Sequence, residues 1–162
     1  MIETPLGVLN VAQIMAHPRV AGLIFGPNDL RKSLHALADK NRTALQTSLS
    51  LCVLAARAHD KYCIDGVYNH FKDIDGLAGE CAQARLLGFH GKSLIHPNQI
   101  GPTNNAFSPS VDEIAHAQDI LNAFENARDG LATLNGEMIE ELHVQQAGAV
   151  LKQAQTIKQQ ES

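Results

Sequence analysis

Ala21-Gly22-Leu23-Ile24-Phe25-Gly26-Pro27-Asn28-Asp29 decides the fold class. A short apolar run closed by Gly-Pro-Asn-Asp reads as a β-strand and its stop, with Asp29 placed to cap whatever follows. Outward from it the same theme repeats. Between Thr43 and Asp60, Leu45, Leu49, Cys52, Val53 and Ala56 recur at helical spacing, and Tyr62-Cys-Ile-Asp65-Gly66 then supplies a second strand with a glycine stop. Leu77, Cys81, Ala84 and Leu87 mark a helix over 73–87 that Gly88 terminates, and Lys92-Ser-Leu-Ile95 is a third strand before His96-Pro97. Upstream, Met1-Ile2 reads as the tail of a strand, and Val8, Val11, Ala12 and Met15 mark a short helix ending near His17-Pro18. Strands alternating with helices of this length imply parallel βαβ units, because parallel neighbours cannot be joined by a tight hairpin. The fold class is therefore α/β.

Beyond Pro109 the pattern turns helical. Ser110 caps an amphipathic helix through about Ala127, a Gly130–Gly136 connector follows, and a last helix runs from Glu137 to about Gln159. The expected division is 1–109 for the α/β part and 110–162 for a helical appendage.

Composition narrows the function. The 162 residues are 44% hydrophobic and 19% charged, with 13 Lys and Arg against 17 Asp and Glu, a formal charge of −4. No global positive field draws such a chain to phosphate backbones or anionic lipid, so neither nucleic acid nor a membrane is expected as a partner. The longest apolar run, Leu51 to Ala56, is far short of the roughly 18 residues that suggest a membrane span. Three cysteines, none in a Cys-x-x-Cys spacing, suit a reducing cytoplasm.

In parallel α/β folds ligands gather beyond the C-terminal ends of the strands. Here those ends supply Glu3-Thr4-Pro5, Gly26-Pro27-Asn28-Asp29, Asp65-Gly66-Val67-Tyr68-Asn69 and His96-Pro97-Asn98-Gln99. Acidic and amide groups converge without a nucleophile and base pair. That composition suits an oxygen-ligated cation such as Mg2+, for which two carboxylates suffice while water or substrate completes the octahedron. Glu3 and Asp29 are the natural pair.

The ordered phrases Ile2–Asn10, Gly22–Leu30, Ile64–Asn69, Gly88–Ile100, Phe107–Ser110 and Asn135–Glu140 resemble the HpcH/HpaI aldolase and citrate lyase beta subunit family, in particular its malyl-CoA lyase-like members. Gly91-Lys92-x-x-Ile95-His96-Pro97-x-Gln99 is the most distinctive of them. The resemblance implies strands five to eight of a (β/α)8 barrel plus a C-terminal segment, with Mg2+ held by Glu3 and Asp29. It implies carbon-carbon cleavage or formation beside a CoA thioester, on substrates such as malyl-CoA, citramalyl-CoA or citryl-CoA, with a small 2-oxoacid as the other partner. Gly26, Pro27 and Asn28 then belong to a turn whose backbone N–H groups receive the acid's carboxylate. Glu140 stands where the family usually has the Asp that handles the proton, in a segment delivered to a neighbouring subunit, so a homo-oligomer is expected. Lys92 and His96 fall at the barrel mouth, where His96 equally suits bonding to backbone near Pro97; Asp65 reads either as a group around the site or as a turn aspartate before Gly66, and His70 falls where close relatives carry Asp.

A complete barrel takes about 250 residues, and the sequence opens two residues before the first proposed metal ligand. Half of the barrel is thus expected to be missing, and the chain alone is expected to have little or no lyase activity. Two further readings stand beside this one. In one, the chain is a non-catalytic remnant that associates through its C-terminal helices. In the other, Glu113-x-x-His116 and Glu140-x-x-His143 are two halves of a di-iron helical site.

Overall fold

In the computed structural model, residues 1–127 and 131–160 are described. They form two compact units, Met1–Phe107 and Ser108–Ser162.

The first unit is built on a parallel sheet. Strands β1 (Gly22–Ile24), β2 (Tyr62–Asp65) and β3 (Gly91–Lys92) lie in that order, with Gly22, Leu23 and Ile24 in register with Tyr62, Cys63 and Ile64. Ile2 adds a fourth position at the β1 edge: its N–H donates to the Ile24 carbonyl and its carbonyl accepts from Gly26, both at 2.8 Å. The third strand is shorter than 92–95 and β1 is one residue shorter at each end than 21–25, while β2 ends at Asp65 before its expected glycine stop. The opening helix divides into α1 (Pro5–Leu9) and α2 (Val11–Ala16) around Asn10.

Between the strands run α3 (Pro27–Ser33), a 3-10 turn (Thr43–Leu45), α4 (Gln46–Arg57) and α5 (Ile74–Leu87). Helix α5 ends as expected on Gly88, whose φ of 98° only glycine adopts without strain. Helix α3 differs from expectation. Its N-cap is Gly26 and Asp29 lies inside the first turn, because Pro27 takes the first helical position, where its missing N–H costs nothing. After β3 a 3-10 turn (Pro97–Gln99) leads into α6 (Ile100–Phe107).

Side chains alternate across this sheet, so its two faces differ sharply. Ile2, Leu23, Phe25 and Cys63 point to one face and are buried with Met15, Leu30, Leu49, Cys52 and Ala56 from the surrounding helices. Met1, Glu3, Ile24, Gly26, Tyr62 and Ile64 belong to the other. On that face Ile24 keeps 38% and Tyr62 66% of its surface exposed.

At its edge the sheet holds a proton-sensitive contact. His90 exchanges two bonds with Cys63: its N–H donates to the Cys63 carbonyl (2.9 Å), and its ring Nδ1 accepts from the Cys63 N–H (3.1 Å). The ring can accept only while Nδ1 is unprotonated. Partial desolvation, then the Arg57 charge, holds its pKa below the ordinary imidazole value. The contribution is therefore complete above about pH 6.5, where both folded and unfolded forms are neutral, and is lost as the unfolded chain takes up the proton below it. His90→Asn, which keeps an acceptor but does not titrate, is expected to flatten the fall in stability between neutrality and mild acid, measured by urea unfolding across that range.

The second unit pairs α7 (Val111–Glu125) with α8 (Glu141–Gln160) across a hairpin of β4 (Ala132–Leu134) and β5 (Glu137–Ile139). Ser110 caps α7 in a reciprocal capping box with Glu113. The hairpin corrects the helix expected from Glu137. Asn135 (φ 52°) and Gly136 (φ 85°) are both left-handed, the backbone a two-residue turn between strands requires, and the last helix begins at Glu141.

Candidate functional site

Glu3 and Asp29 stand at the same end of the sheet, beyond the C-termini of adjacent strand positions. The two Ile2 hydrogen bonds set Glu3 beside Gly26, so close that a Cβ on Gly26 would lie 2.5 Å from the Glu3 Cβ and 3.1 Å from its Oε2. Only a glycine leaves room for that carboxylate to lie across the turn. Asp29 follows in the first turn of α3 with its side chain exposed, and Glu3 is half-buried on the face away from the packed helices. Two hard oxygen donors, partly solvated, fit a cation that retains several waters. Among the described residues no cluster of three or more His, Cys, Asp or Glu forms.

The turn itself offers fewer donors than its sequence suggests. Gly26 spends its N–H on the Ile2 carbonyl, and Pro27 has none. Asn28 and Asp29 are left, in a first turn whose N–H groups lack intrahelical partners. The Asn28 side chain is a strut: it exchanges hydrogen bonds of 3.2 and 2.8 Å with Asn69 beyond β2, and its Oδ1 also accepts from Arg31 at 3.2 Å. This ties the β1 and β2 turns together. Behind the strut opens a cleft of about 600 Å³ whose lining includes Pro27, Asn28, Arg42, Tyr68, Asn69 and Glu80, but neither Glu3 nor Asp29. Above it, the Tyr68 hydroxyl donates to Asp73 at 2.6 Å, which pushes the phenol up to about 12 and holds the Asp73 carboxyl below its usual value.

Asp65 and Lys92 turn inward beneath the strand ends, Asp65 holding the Gly66 turn that was one of its two sequence readings. Both side chains point to the helix-covered face, fully out of solvent. Arg42 Nη1 reaches both Asp65 oxygens (2.9 and 2.8 Å), and Lys92 Nζ bonds Asp65 and Glu80 at 2.8 Å each. Arg42 also donates to Gln83 at 2.7 Å. Two cations and two anions thus neutralise one another below the strand ends, and Asp65 Oδ1 accepts from the Gly66 N–H to fix the turn above. Sequence reasoning missed this cluster because residues 42, 65, 80 and 92 share no local spacing. The one available signal was a polar Lys at a strand position and an Asp ending the strand before it.

His96 caps the 3-10 turn through Nδ1, which accepts from the Asn98 N–H, and its ring stacks on Phe71. His70 is exposed and meets Tyr68 edge-on. Glu140 sits between β5 and α8 rather than within a helix, exposed, its N–H donating to His143 Nδ1 at 2.9 Å. With Glu113 engaged in capping α7 and His143 engaged by Glu140, the two Glu-x-x-His pairs are local caps, and the parallel sheet rules out the all-helical bundle a di-iron site needs.

The family model for HpcH/HpaI aldolase/citrate lyase matches residues 1–97, which contain the whole sheet and both carboxylates. The chain belongs to this family. It is 49% identical over 160 residues to a (3S)-malyl-CoA thioesterase of Cereibacter sphaeroides, covering 97% of this chain and 56% of the relative. It is 34% identical to the citrate lyase subunit beta of Escherichia coli, covering 95% of this chain and 52% of that one. Among solved structures, the CitE protein of Mycobacterium tuberculosis, crystallised with magnesium, acetoacetate and coenzyme A, superposes with a TM-score of 0.83 at 27% identity, over 94% of this chain and 58% of that one. The chain therefore spans about half the length of these family members. No described helix is long and apolar enough to cross a membrane.

Proposed function

We propose that the first unit is half of a (β/α)8 barrel and that its strand ends carry the Mg2+ site of an enzyme that breaks a carbon-carbon bond beside a CoA thioester. The substrate class is the thioester of a 2-hydroxy acid, malyl-CoA, citramalyl-CoA or citryl-CoA. The observation that carries this reading is the Glu3 carboxylate lying across Gly26 at the strand end that also bears Asp29, in a chain of the HpcH/HpaI family. The magnesium of the CitE structure supports the choice of ion.

Glu3 and Asp29 would hold the ion, which supplies charge stabilisation to the oxygens of the 2-oxoacid half. The N–H groups of Asn28 and Asp29 face the acid's carboxylate, with Gly26 and Pro27 shaping the turn. Glu140 takes the proton-handling role at the thioester's alpha carbon, delivered from a neighbouring copy in a homo-oligomer. Exposure leaves it accessible for that role. Three buried free thiols fit a reducing compartment such as the cytoplasm. With about half of the family's length present, the chain alone turns over little or no substrate.

A second reading is hydrolysis of the thioester, favoured by the malyl-CoA thioesterase relative at 49% identity. Products separate the two. With malyl-CoA and Mg2+, cleavage yields acetyl-CoA and glyoxylate, whereas hydrolysis yields malate and free CoA thiol. The expected result is product only when the chain is co-expressed with a polypeptide covering the remaining length of a relative, and acetyl-CoA with glyoxylate as the products. Full turnover by the chain alone, or none in the complemented sample, contradicts the proposal.

A further inference from the structure

We propose that Asn69 is a positioning residue for the cation site: through a reciprocal amide pair with Asn28 it holds Asp29 where a divalent ion needs it. The inference deepens the metal-site reading above and rests on it.

Asp29 sits on a helix too short to set its own orientation. Helix α3 has seven residues, below the length at which a helix is stable in isolation, and Gly26 at its N-cap has no side chain to bond the first turn. Its placement therefore comes from outside. Leu30, fully buried, fixes the inner face, and Pro27 stands against Gly66. Both contacts are apolar and non-directional. Direction comes from the amides: Asn28 Nδ2 donates to Asn69 Oδ1 at 3.2 Å, and Asn69 Nδ2 donates back to Asn28 Oδ1 at 2.8 Å.

Asn69 is itself anchored. The Tyr68 carbonyl, one peptide earlier, accepts from Gln99 Nε2 at 2.9 Å, and Gln99 Oε1 accepts from the Ile95 N–H at 3.0 Å. Gln99 is fully buried, where leaving either bond unmade is costly. The line Gln99, Tyr68, Asn69, Asn28, Asp29 thus joins the exits of β3, β2 and β1, and gives the last residue of the Gly91–Gln99 phrase a task. Mg2+ demands near-ideal octahedral geometry, so a ligand carboxylate free to wander binds it less tightly. Groups that orient metal ligands typically change affinity by about 10- to 100-fold. Asn69 acts one residue removed from the carboxylate, which puts its effect at the lower end.

Mn2+ affinity of the 162-residue chain, read by electron paramagnetic resonance, tests this in a double-mutant cycle. Asn69→Ala and Asn28→Ala are each expected to weaken binding about tenfold. The double variant is expected to bind no more weakly than either, because both substitutions remove one and the same contact. Both amides are exposed, so the urea midpoint is expected to stay at the parent value. His70→Ala, next along the loop and also exposed, is expected to leave binding unchanged. Parent affinity in Asn69→Ala, losses that add in the double variant, or a loss matched by a fall in the urea midpoint overturns the proposal, the last by making Asn69 merely structural. Mn2+ binding that ignores Glu3 and Asp29 sinks the site itself and this inference with it, whereas binding that needs both carboxylates and ignores Asn69 sinks this inference alone.

Discussion

Asp65→Ala is expected to lower the unfolding free energy by about 3–5 kcal/mol, the cost of removing one partner from a buried ion pair. Asp65 is fully buried and accepts from Arg42, Lys92 and the Gly66 N–H. Removing it leaves two buried cations facing Glu80 alone, and releases the turn that leads out of β2. Attraction within the cluster offsets the desolvation of its members only while all four are present. Lys92→Met, which deletes one charge but keeps the apolar stem, is expected to cost less, because Arg42 Nη1 still bonds both Asp65 oxygens. Urea unfolding of the two variants checks the order. Equal and small losses in both would show that the cluster is open to water.

Gly66→Ala is expected to cost about 3 kcal/mol, the upper end for overpacking. A Cβ at this position would stand 2.1 Å from Pro27 Cδ and 2.5 Å from the Phe25 carbonyl oxygen. Neither neighbour is the far end of a flexible side chain, so the β1 turn must move, and with it Asn28 and Asp29. Gly79→Ala is the matched control. Nothing lies within 4 Å of the added methyl there, and a helical glycine replaced by alanine is expected to gain about 0.5–1 kcal/mol. Thermal unfolding should move in opposite directions for the two, and a Gly66→Ala chain as stable as the parent would mean that the two turns are not in contact.

The parallel α/β class was legible because short apolar runs closed by glycine are local signals, as at Phe25-Gly26 and Asp65-Gly66. So were the helix ends at Gly88 and Ser110, where one residue's conformational freedom or hydroxyl decides the boundary. The β4–β5 hairpin was missed although Asn135-Gly136 announces it, since the flanking apolar residues also fit a helical period. The side to which Asp65 and Lys92 point was hidden for a different reason. Strand alternation fixes which residues share a face, but whether helices cover that face is a long-range property. The placement of Glu3 depended on Ile2 pairing with Phe25, a contact across more than twenty residues; strand-end position suggested it and the family resemblance strengthened it.

The metal site is the claim on which the functional reading stands, and Mn2+ provides a spectroscopic stand-in for Mg2+. Titration of the chain with Mn2+, followed by electron paramagnetic resonance, is expected to show one site per chain that Mg2+ displaces. Glu3→Gln and Asp29→Asn should each weaken it at least about tenfold, while Asp73→Asn, in the neighbouring cleft, should leave it unchanged. Binding that is indifferent to both Glu3 and Asp29, or that is lost only with Asp73, would contradict the account.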